Sequence, residues 1–270
     1  MSFSSFIESS LEKVSVIANE QFGKVSSTTK VGDNNQVLTQ TDLEIGQTLI
    51  SLIEKEFPTH NIIDEEAGVI DKKSEYTWVV DPIDGTSNFA NGVPTYGIMI
   101  GLLQKDKAIA GGIALPAFKQ IIVAEQGHGT LLNGSQIHVT KESQLLKTLV
   151  SYGIDGHQEN PKITKNECRL LGKIILNIRN LRSSNSVFDI IQVAGGNYGA
   201  MLNRTSKIWD NVAQQIIIEE AGGKYTDFFG KAMDYRNPLT KATQNYTFCA
   251  ASPELHQKLQ EIIFSDSSSN

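Results

Sequence analysis

The sequence predicts a mixed α and β protein, and three observations carry that expectation. Two amphipathic stretches, Phe6 to Phe22 and Thr41 to Phe57, space their apolar residues as helices do. From Tyr96 to Val123, "YGIMIGLLQKDKAIAGGIALPAFKQIIV" is dense in Ile, Leu and Ala and is broken by polar turns, as antiparallel strands are. Beyond Leu149, short apolar runs alternate with amphipathic ones, the pattern of an α/β layer with helices over both faces of a sheet.

Taken in order, the first helix carries Phe6, Leu11, Val14, Ile17 and Ala18 on one face. The polar segment "GKVSSTTKVGDNNQ", Gly23 to Gln36, reads as a loop or loose hairpin. Thr41 or Asp42 then caps a second helix that runs to about Phe57, where Pro58 discourages continuation. Asn61 to Ile63 is a short strand ending on Asp64-Glu65-Glu66, and Thr77 to Val80 is another, ending on Asp81. The sheet from Tyr96 to Val123 turns at Gln104 to Lys107 and near Pro116, and Asn133-Gly134 is a hairpin turn between further short strands. Leu149 to Tyr152 is expected as strand, Pro161 to Leu170 as helix, and Ile174 to Ile178 as strand. "SSNSVFDIIQVAGG", Ser183 to Gly196, reads as a capped helix with a glycine stop, followed by the strand "YGAML". Asp210 starts a helix that ends at Gly222-Gly223, Tyr246 to Ala250 is a strand, and Pro253 opens the last helix as an N1 proline, with "SDSSSN" fraying beyond it. A boundary between residues 135 and 145 divides the chain into 1–140 and 141–270.

Composition narrows the function. Lys and Arg number 24 against 30 Asp and Glu, for a net charge of −6, which lacks the basic footprint of a nucleic-acid binder. A phosphorylated substrate stays open, because a metal ion supplies positive charge locally. Cys168 and Cys249 lie far apart, which suits a reduced, cytoplasmic protein without a disulfide framework. No stretch approaches the roughly 20 apolar residues of a membrane span, and the N-terminus reads as a helix, not as a signal peptide. The five histidines follow no H-x-x-x-H pattern, which disfavours zinc. The glycine-rich spots "AGG" at 110–112 and "AGGN" at 194–197 match neither a dinucleotide fingerprint nor a P-loop.

Acids instead mark the places where the chain leaves or enters an element: Glu65 and Glu66, Asp81 and Asp84, and Asp210. Hard divalent cations take oxygen ligands, and Mg²⁺ in particular uses a few carboxylates and substrate phosphates. In Asp81-Pro82-Ile83-Asp84, proline fixes the turn and the second carboxylate returns toward the first. Gly85-Thr86-Ser87 then offers backbone N–H groups at the start of a helix, where phosphate binds without a basic side chain. Each signal alone has an ordinary alternative: a solvated turn for D-x-x-D, a surface pair for Glu65-Glu66, an N-cap for Asp210. Together they suit a metal-dependent phosphohydrolase.

Asp64-Glu65-Glu66, "WVVDPIDGTSNF" (Trp78 to Phe89) and "WDNVAQQIIIEEAGG" (Trp209 to Gly223) closely resemble the inositol monophosphatase family, in order and over nearly the whole chain, including "VLTQTD" before the second helix and "GTLLNG" at 129–134. The resemblance implies an alternating α-β-α-β-α layered sandwich of the sugar-phosphatase type, and hydrolysis of phosphate monoesters by Mg²⁺-activated water. It places Glu65, Asp81 and the Ile83 carbonyl on a first ion, Asp81, Asp84 and Asp210 on a second, and Glu65 on a third. Most of these ligands lie in 1–140, with Asp210 supplied by 141–270. Thr86 with Glu65 would position the attacking water, Asp42 would bond Thr86, and the Gly85 and Thr86 amides would take phosphate oxygens. Lys30 or Asp33 would assist the third ion. The resemblance also implies lithium sensitivity and a homodimer. One departure concerns specificity: where inositol-specific members carry an acid six positions before the tryptophan, this chain has Asn203, which can bond substrate hydroxyls but carries no charge. Arg204 and Lys207 beside it would favour a second anionic group if they pointed inward. Inositol monophosphate leads the expected substrates, with histidinol phosphate, fructose 1,6-bisphosphate, a nucleotide 3′-phosphate or NADP as alternatives. A silent binding homologue is disfavoured by intact Glu65, Asp81, Asp84, Thr86 and Asp210.

Overall fold

The computed structural model describes residues 2–30 and 37–267. Asp33, named above beside Lys30, lies outside the described residues. Helix α1 (Phe3–Gln21) is followed by two antiparallel two-residue strands, β1 (Thr28–Thr29) and β2 (Val37–Leu38), and by α2 (Gln40–Glu56). A large sheet then forms from β3 (Asn61–Asp64), β4 (Gly68–Ile70), β5 (Tyr76–Asp84), β6 (Gly97–Gln104), β7 (Lys107–Leu115), β8 (Gln120–Glu125), β9 (Thr130–Leu132) and β10 (Ser135–Ile137), with the short α3 (Thr86–Ala90) after β5. The second half gives β11 (Leu149–Gly153), α4 (Pro161–Ile175), β12 (Asn180–Arg182), α5 (Phe188–Ala194), β13 (Ala200–Ser206), α6 (Ile208–Glu220), β14 (Lys224–Thr226), β15 (Tyr246–Ala251) and α7 (Pro253–Ser267).

The first sheet has the order β10-β9-β8-β7-β6-β5-β3-β4 and the second β12-β11-β13-β15-β14. Side chains of a strand alternate between faces, and here the alternation divides the core. On β6, Ile98, Ile100 and Leu102 pack with Leu11, Val14, Ile45 and Leu49 of α1 and α2. Met99, from the opposite face, packs with Ile190 of α5, Ile216 of α6 and Phe248 of β15. On the second sheet, Leu202 and Cys249 face Leu170 of α4 and Leu255 of α7. The layers therefore run α1/α2, large sheet, α5/α6, small sheet, α4/α7, which is the expected α-β-α-β-α sandwich. None of the helices among the described residues is long and apolar enough to cross a membrane.

Glycines set how closely the layers approach. A Cβ at Gly101 would lie 2.7 Å from Val212 Cγ1, and one at Gly111 would lie 2.8 Å from Ala213 Cα, both on α6. On the other face, a Cβ at Gly112 would lie 2.4 Å from Ile7 Cγ2 of α1. The "AGG" at 110–112 is thus a double helix seat, and its lack of a nucleotide-binding pattern has a structural reason.

Several expectations are corrected. The cap of α2 is Thr39, not Thr41 or Asp42; Thr39 is extended, and Asp42 at the third helical position accepts its N–H, completing a capping box. The strand expected to end on Asp81 continues to Asp84. Ile174 to Ile178 is not a strand: α4 runs to Ile175, with Leu170, Ile174 and Ile178 buried four residues apart while Leu176 is 80% exposed. The helix expected from Ser183 begins only at Phe188, because Asn185 has φ 53, a left-handed conformation that a right-handed helix excludes. Asp210 is not the cap of α6 but lies in its first turn, after Lys207 and Ile208. The last helix holds to Ser267, beyond the point where fraying was expected.

Candidate active site

Parallel pairing of β3 with β5 brings their C-terminal ends together: Asp64 lies opposite Val80, and the Glu65 N–H donates to the Val80 carbonyl at 3.2 Å. Glu65 therefore emerges beside Asp81. In an unbroken strand, residues three apart would point to opposite faces. Here Asp81 pairs with Met99 but Asp84 with Gly97, so β5 spends three steps where β6 spends two. The extra residue is a β-bulge at Pro82-Ile83, and it turns Asp84 back to the side of Asp81. The first turn of α6, seated on Gly101 and Gly111, delivers Asp210 to the same point. Carboxylate oxygens of Asp81, Asp84 and Asp210 all lie within 4.8 Å of one another.

After the bulge, Gly85 adopts φ 81, and a Cβ there would crowd Ser186 Cβ at 3.0 Å and the Thr95 carbonyl at 3.2 Å. This left-handed turn starts α3, whose first amides have no intrahelical partner. The Thr86 hydroxyl lies 2.8 Å from the Ile83 carbonyl and 3.1 Å from Asp42 Oδ1. Asp42 Oδ2 in turn accepts the Thr39 N–H at 2.9 Å, so the α2 cap anchors the Thr86 hydroxyl. From the other half of the chain, the Val187 N–H donates to Asp84 Oδ2, and Asn88 Nδ2 donates to the Ser184 carbonyl at 3.0 Å.

The electrostatics of this cluster are unfavourable without a counter-charge. Burial pushes the Asp81 and Asp84 carboxyls well above the usual range, and repulsion from Glu65 and Asp210 adds to it. Burial raises Glu65 to about 7 against the attraction of Lys30, and Asp210 to about 6 against the Lys207 N–H. Lys30 Nζ bridges Glu65 at 2.7 Å and Glu66 at 2.5 Å. Burial alone would lower the Lys30 pKa; the charge of Glu65 and the bonds to both acids outweigh it and raise it. Asp81 Oδ1 is buried without a hydrogen-bond partner. An acceptor-only oxygen orphaned among carboxylates is what a cation site requires, so the residues present fit a hard divalent metal.

A pH prediction follows from these directions. A carboxyl with a raised folded pKa stabilises the fold fully below its unfolded value, roughly 4, and this contribution is lost as pH rises through about 6 for Asp210 and about 7 for Glu65. Metal-free protein should therefore lose melting temperature between roughly pH 4 and 7.5, and Mg²⁺ at pH 7.5 should restore it. Scanning calorimetry with chelator and with Mg²⁺ checks this; a metal-free profile that rises across the window would contradict it.

These groups line a cavity of about 350 Å³ that also includes His157, Asn185, Asn203 and Lys207. Along β13, Met201, Asn203 and Thr205 face the cavity while Leu202 packs beneath the sheet. Asn203 Oδ1 accepts the Thr205 N–H at 2.6 Å. Arg204 falls on the far face, with its guanidinium 5.4 Å from the Phe228 ring.

The family model described as the inositol monophosphatase family matches residues 3–268. The chain belongs to the inositol monophosphatase family. It is 32% identical to inositol monophosphatase 2 of Solanum lycopersicum, covering 77% of this chain and 80% of that one. It is 30% identical to a fructose-1,6-bisphosphatase/inositol-1-monophosphatase of Aquifex aeolicus, covering 78% of this chain and 80% of that one. The solved Thermotoga maritima IMPase superposes with a TM-score of 0.85 at 26% identity, over 98% of each chain. The inositol monophosphatase family is metal-dependent, and this member is a phosphomonoesterase.

Of the residues singled out in the sequence of this inositol monophosphatase family member, the fold brings Glu65, Asp81, Ile83, Asp84, Gly85, Thr86, Asn203 and Asp210 to one cavity. Asp42 sits behind it, 1% exposed. Of the two basic neighbours, Arg204 faces away, and Lys207 reaches the rim but gives its ammonium to the Thr243 carbonyl at 2.9 Å. Sequence reasoning missed the Val187 N–H and the Asp155 to Glu159 turn. A backbone amide has no signature in side-chain chemistry, whereas the acids of "IDGHQEN" were visible after a strand end, as Asp81 was.

Proposed function

We propose that the protein catalyses Mg²⁺-dependent hydrolysis of a small phosphate monoester, with inositol monophosphate the leading substrate. The observation that carries this is the convergence of Asp81, Asp84 and Asp210 around a buried, partnerless Asp81 oxygen, beside the Thr86–Asp42 pair. Glu65, Asp81, the Ile83 carbonyl, Asp84 and Asp210 would hold two or three ions. When bound, the metal neutralises phosphate charge, acidifies water and stabilises the leaving alkoxide.

The residues of the chain supply the rest. Thr86 commits its hydroxyl proton to Ile83 and Asp42 and leaves lone pairs to accept a hydrogen bond from the attacking water. Glu65 would orient the same water. The Gly85 and Thr86 amides receive phosphate oxygens, and Asn203 offers its amide to substrate hydroxyls. Positioned in line, the water needs no separate nucleophile on the protein. Thr86→Ala should lower kcat by about 100-fold with little change in KM, the size expected for losing one positioning group. An unchanged kcat in steady-state assays would remove Thr86 from the mechanism.

The neutral Asn203 favours a second reading within the same chemistry, with histidinol phosphate, fructose 1,6-bisphosphate, a nucleotide 3′-phosphate or NADP as substrate. The reading extends to a cytoplasmic, lithium-sensitive homodimer whose residues 1–140 carry most ligands and whose residues 141–270 supply Asp210. Phosphate release from this panel, with Mg²⁺, with chelator and with added Li⁺, tests it. Absence of Mg²⁺-dependent turnover of any ester would sink the enzyme reading, and sedimentation analysis tests the dimer.

A further inference from the structure

One wall of the cavity is formed by the turn after β11, by Asn185 and by β13, where Gly153 pairs with Asn203. Asp155 and Glu159 bring two carboxylates to this wall. Asp155 is held in place, since its Oδ1 accepts from Asn185 Nδ2 at 3.1 Å. Two residues after Asn185, the Val187 N–H reaches Asp84. One short segment, with Asn185 in the left-handed region at φ 53, thus ties the position of Asp155 to that of Asp84.

The two lysines that line the cavity, and Arg204 on β13, are committed elsewhere. Arg204 lies on the opposite face of β13, over Phe228. The Lys207 ammonium is bound by the Thr243 carbonyl at 2.9 Å. Lys30 is bound by Glu65 and Glu66 at the inner end. The remaining wall is neutral at Asn203 and Thr205, with His157 the one imidazole among the described lining residues.

We propose that Asp155 and Glu159 form a charge filter at the leaving-group end of the cavity, so that the enzyme accepts monoesters of neutral or cationic alcohols and rejects alcohols that carry a second phosphate. This rests on the phosphomonoesterase reading above and narrows it, removing bisphosphates from the substrates left open. A second phosphate brings a charge of about −1.5 to −2 toward two carboxylates, with no uncommitted ammonium or guanidinium among the described lining residues. Repulsion between like charges a few ångströms apart at a partly hydrated wall, summed over both acids, is enough for at least about tenfold discrimination. A hydroxyl meets hydrogen-bond acceptors there, and an ammonium meets opposite charge.

The test uses a matched pair, fructose 1-phosphate and fructose 1,6-bisphosphate, with inositol 1-phosphate alongside, at pH 8. The filter requires kcat/KM for the monophosphate to exceed that for the bisphosphate by at least about tenfold, with the ratio narrowing as salt rises. The double variant Asp155→Asn/Glu159→Gln should reduce that ratio by about tenfold; both side chains reach solvent, and circular dichroism checks the fold. Equal Mg²⁺-dependent turnover of the pair in the unaltered enzyme, or a ratio unmoved in the folded variant, overturns the filter and leaves the phosphatase standing. No turnover of any of the three esters overturns the filter, and no turnover across the whole panel above overturns the phosphatase reading as well.

Discussion

Asp84→Asn should lower kcat by about 1,000-fold, roughly 4 kcal/mol of transition-state stabilisation, while making the metal-free protein more stable. The substitution keeps shape, and the amide oxygen still accepts the Val187 N–H. It removes one charge from a group whose members repel one another, which is why the Asp84 carboxyl sits well above its usual range once buried and facing Asp210 and Glu65. Loss of activity with a gain in metal-free melting temperature is the mark of a site that trades stability for ligand charge. Titration calorimetry with Mg²⁺ should show weakened binding. A variant that turns over within threefold of the parent, with unchanged Mg²⁺ dependence, would remove Asp84 from the metal site.

Gly111→Val should have the largest effect on folding. Its Cβ would lie 2.8 Å from Ala213 Cα and 2.8 Å from Ile216 Cγ2, so α6 must lift from the large sheet. Backbone on one side and a β-branched core residue on the other leave no flexible side-chain end to yield. Overpacking of this kind costs about 3 kcal/mol, a fall of roughly 6–12 °C in melting temperature for a chain of this size. Because α6 carries Asp210, Mg²⁺ affinity should fall as well, without any change to a carboxylate. Calorimetry with and without Mg²⁺ measures both, and a melting temperature within 1 °C of the parent would show that α6 is not seated there.

Much of the local structure could be read from residue spacing. The amphipathic faces of α1 and α2, the hairpin at Asn133-Gly134 and the proline start of α7 depend on neighbours within one turn, and all are present as expected. Errors arose where apolar spacing supports two periods. Ile174, Ile175, Leu176 and Ile178 read as a strand by density, but burial of Ile174 and Ile178 beside exposed Ile175 and Leu176 shows the four-residue helical spacing. The edge strands β4, β12 and β14, each three residues long, are too short to carry a pattern.

The order of chemical groups in "WVVDPIDGTSNF", including the proline and glycine that shape its turn, is written in the chain, and so is the neutral Asn203. Convergence is not. Asp81 and Asp84 reach one side only through the bulge that pairing with β6 creates, Glu65 joins them through parallel pairing with β5, and Asp210 arrives on a helix seated on Gly101 and Gly111. Val187 meets Asp84 across a sequence separation of 103. These contacts join strands and helices far apart in the chain, where local spacing carries no information. They form because burying both faces of two sheets against three helical layers leaves few ways to pack the chain, and the packing adopted gathers the acids in one cavity.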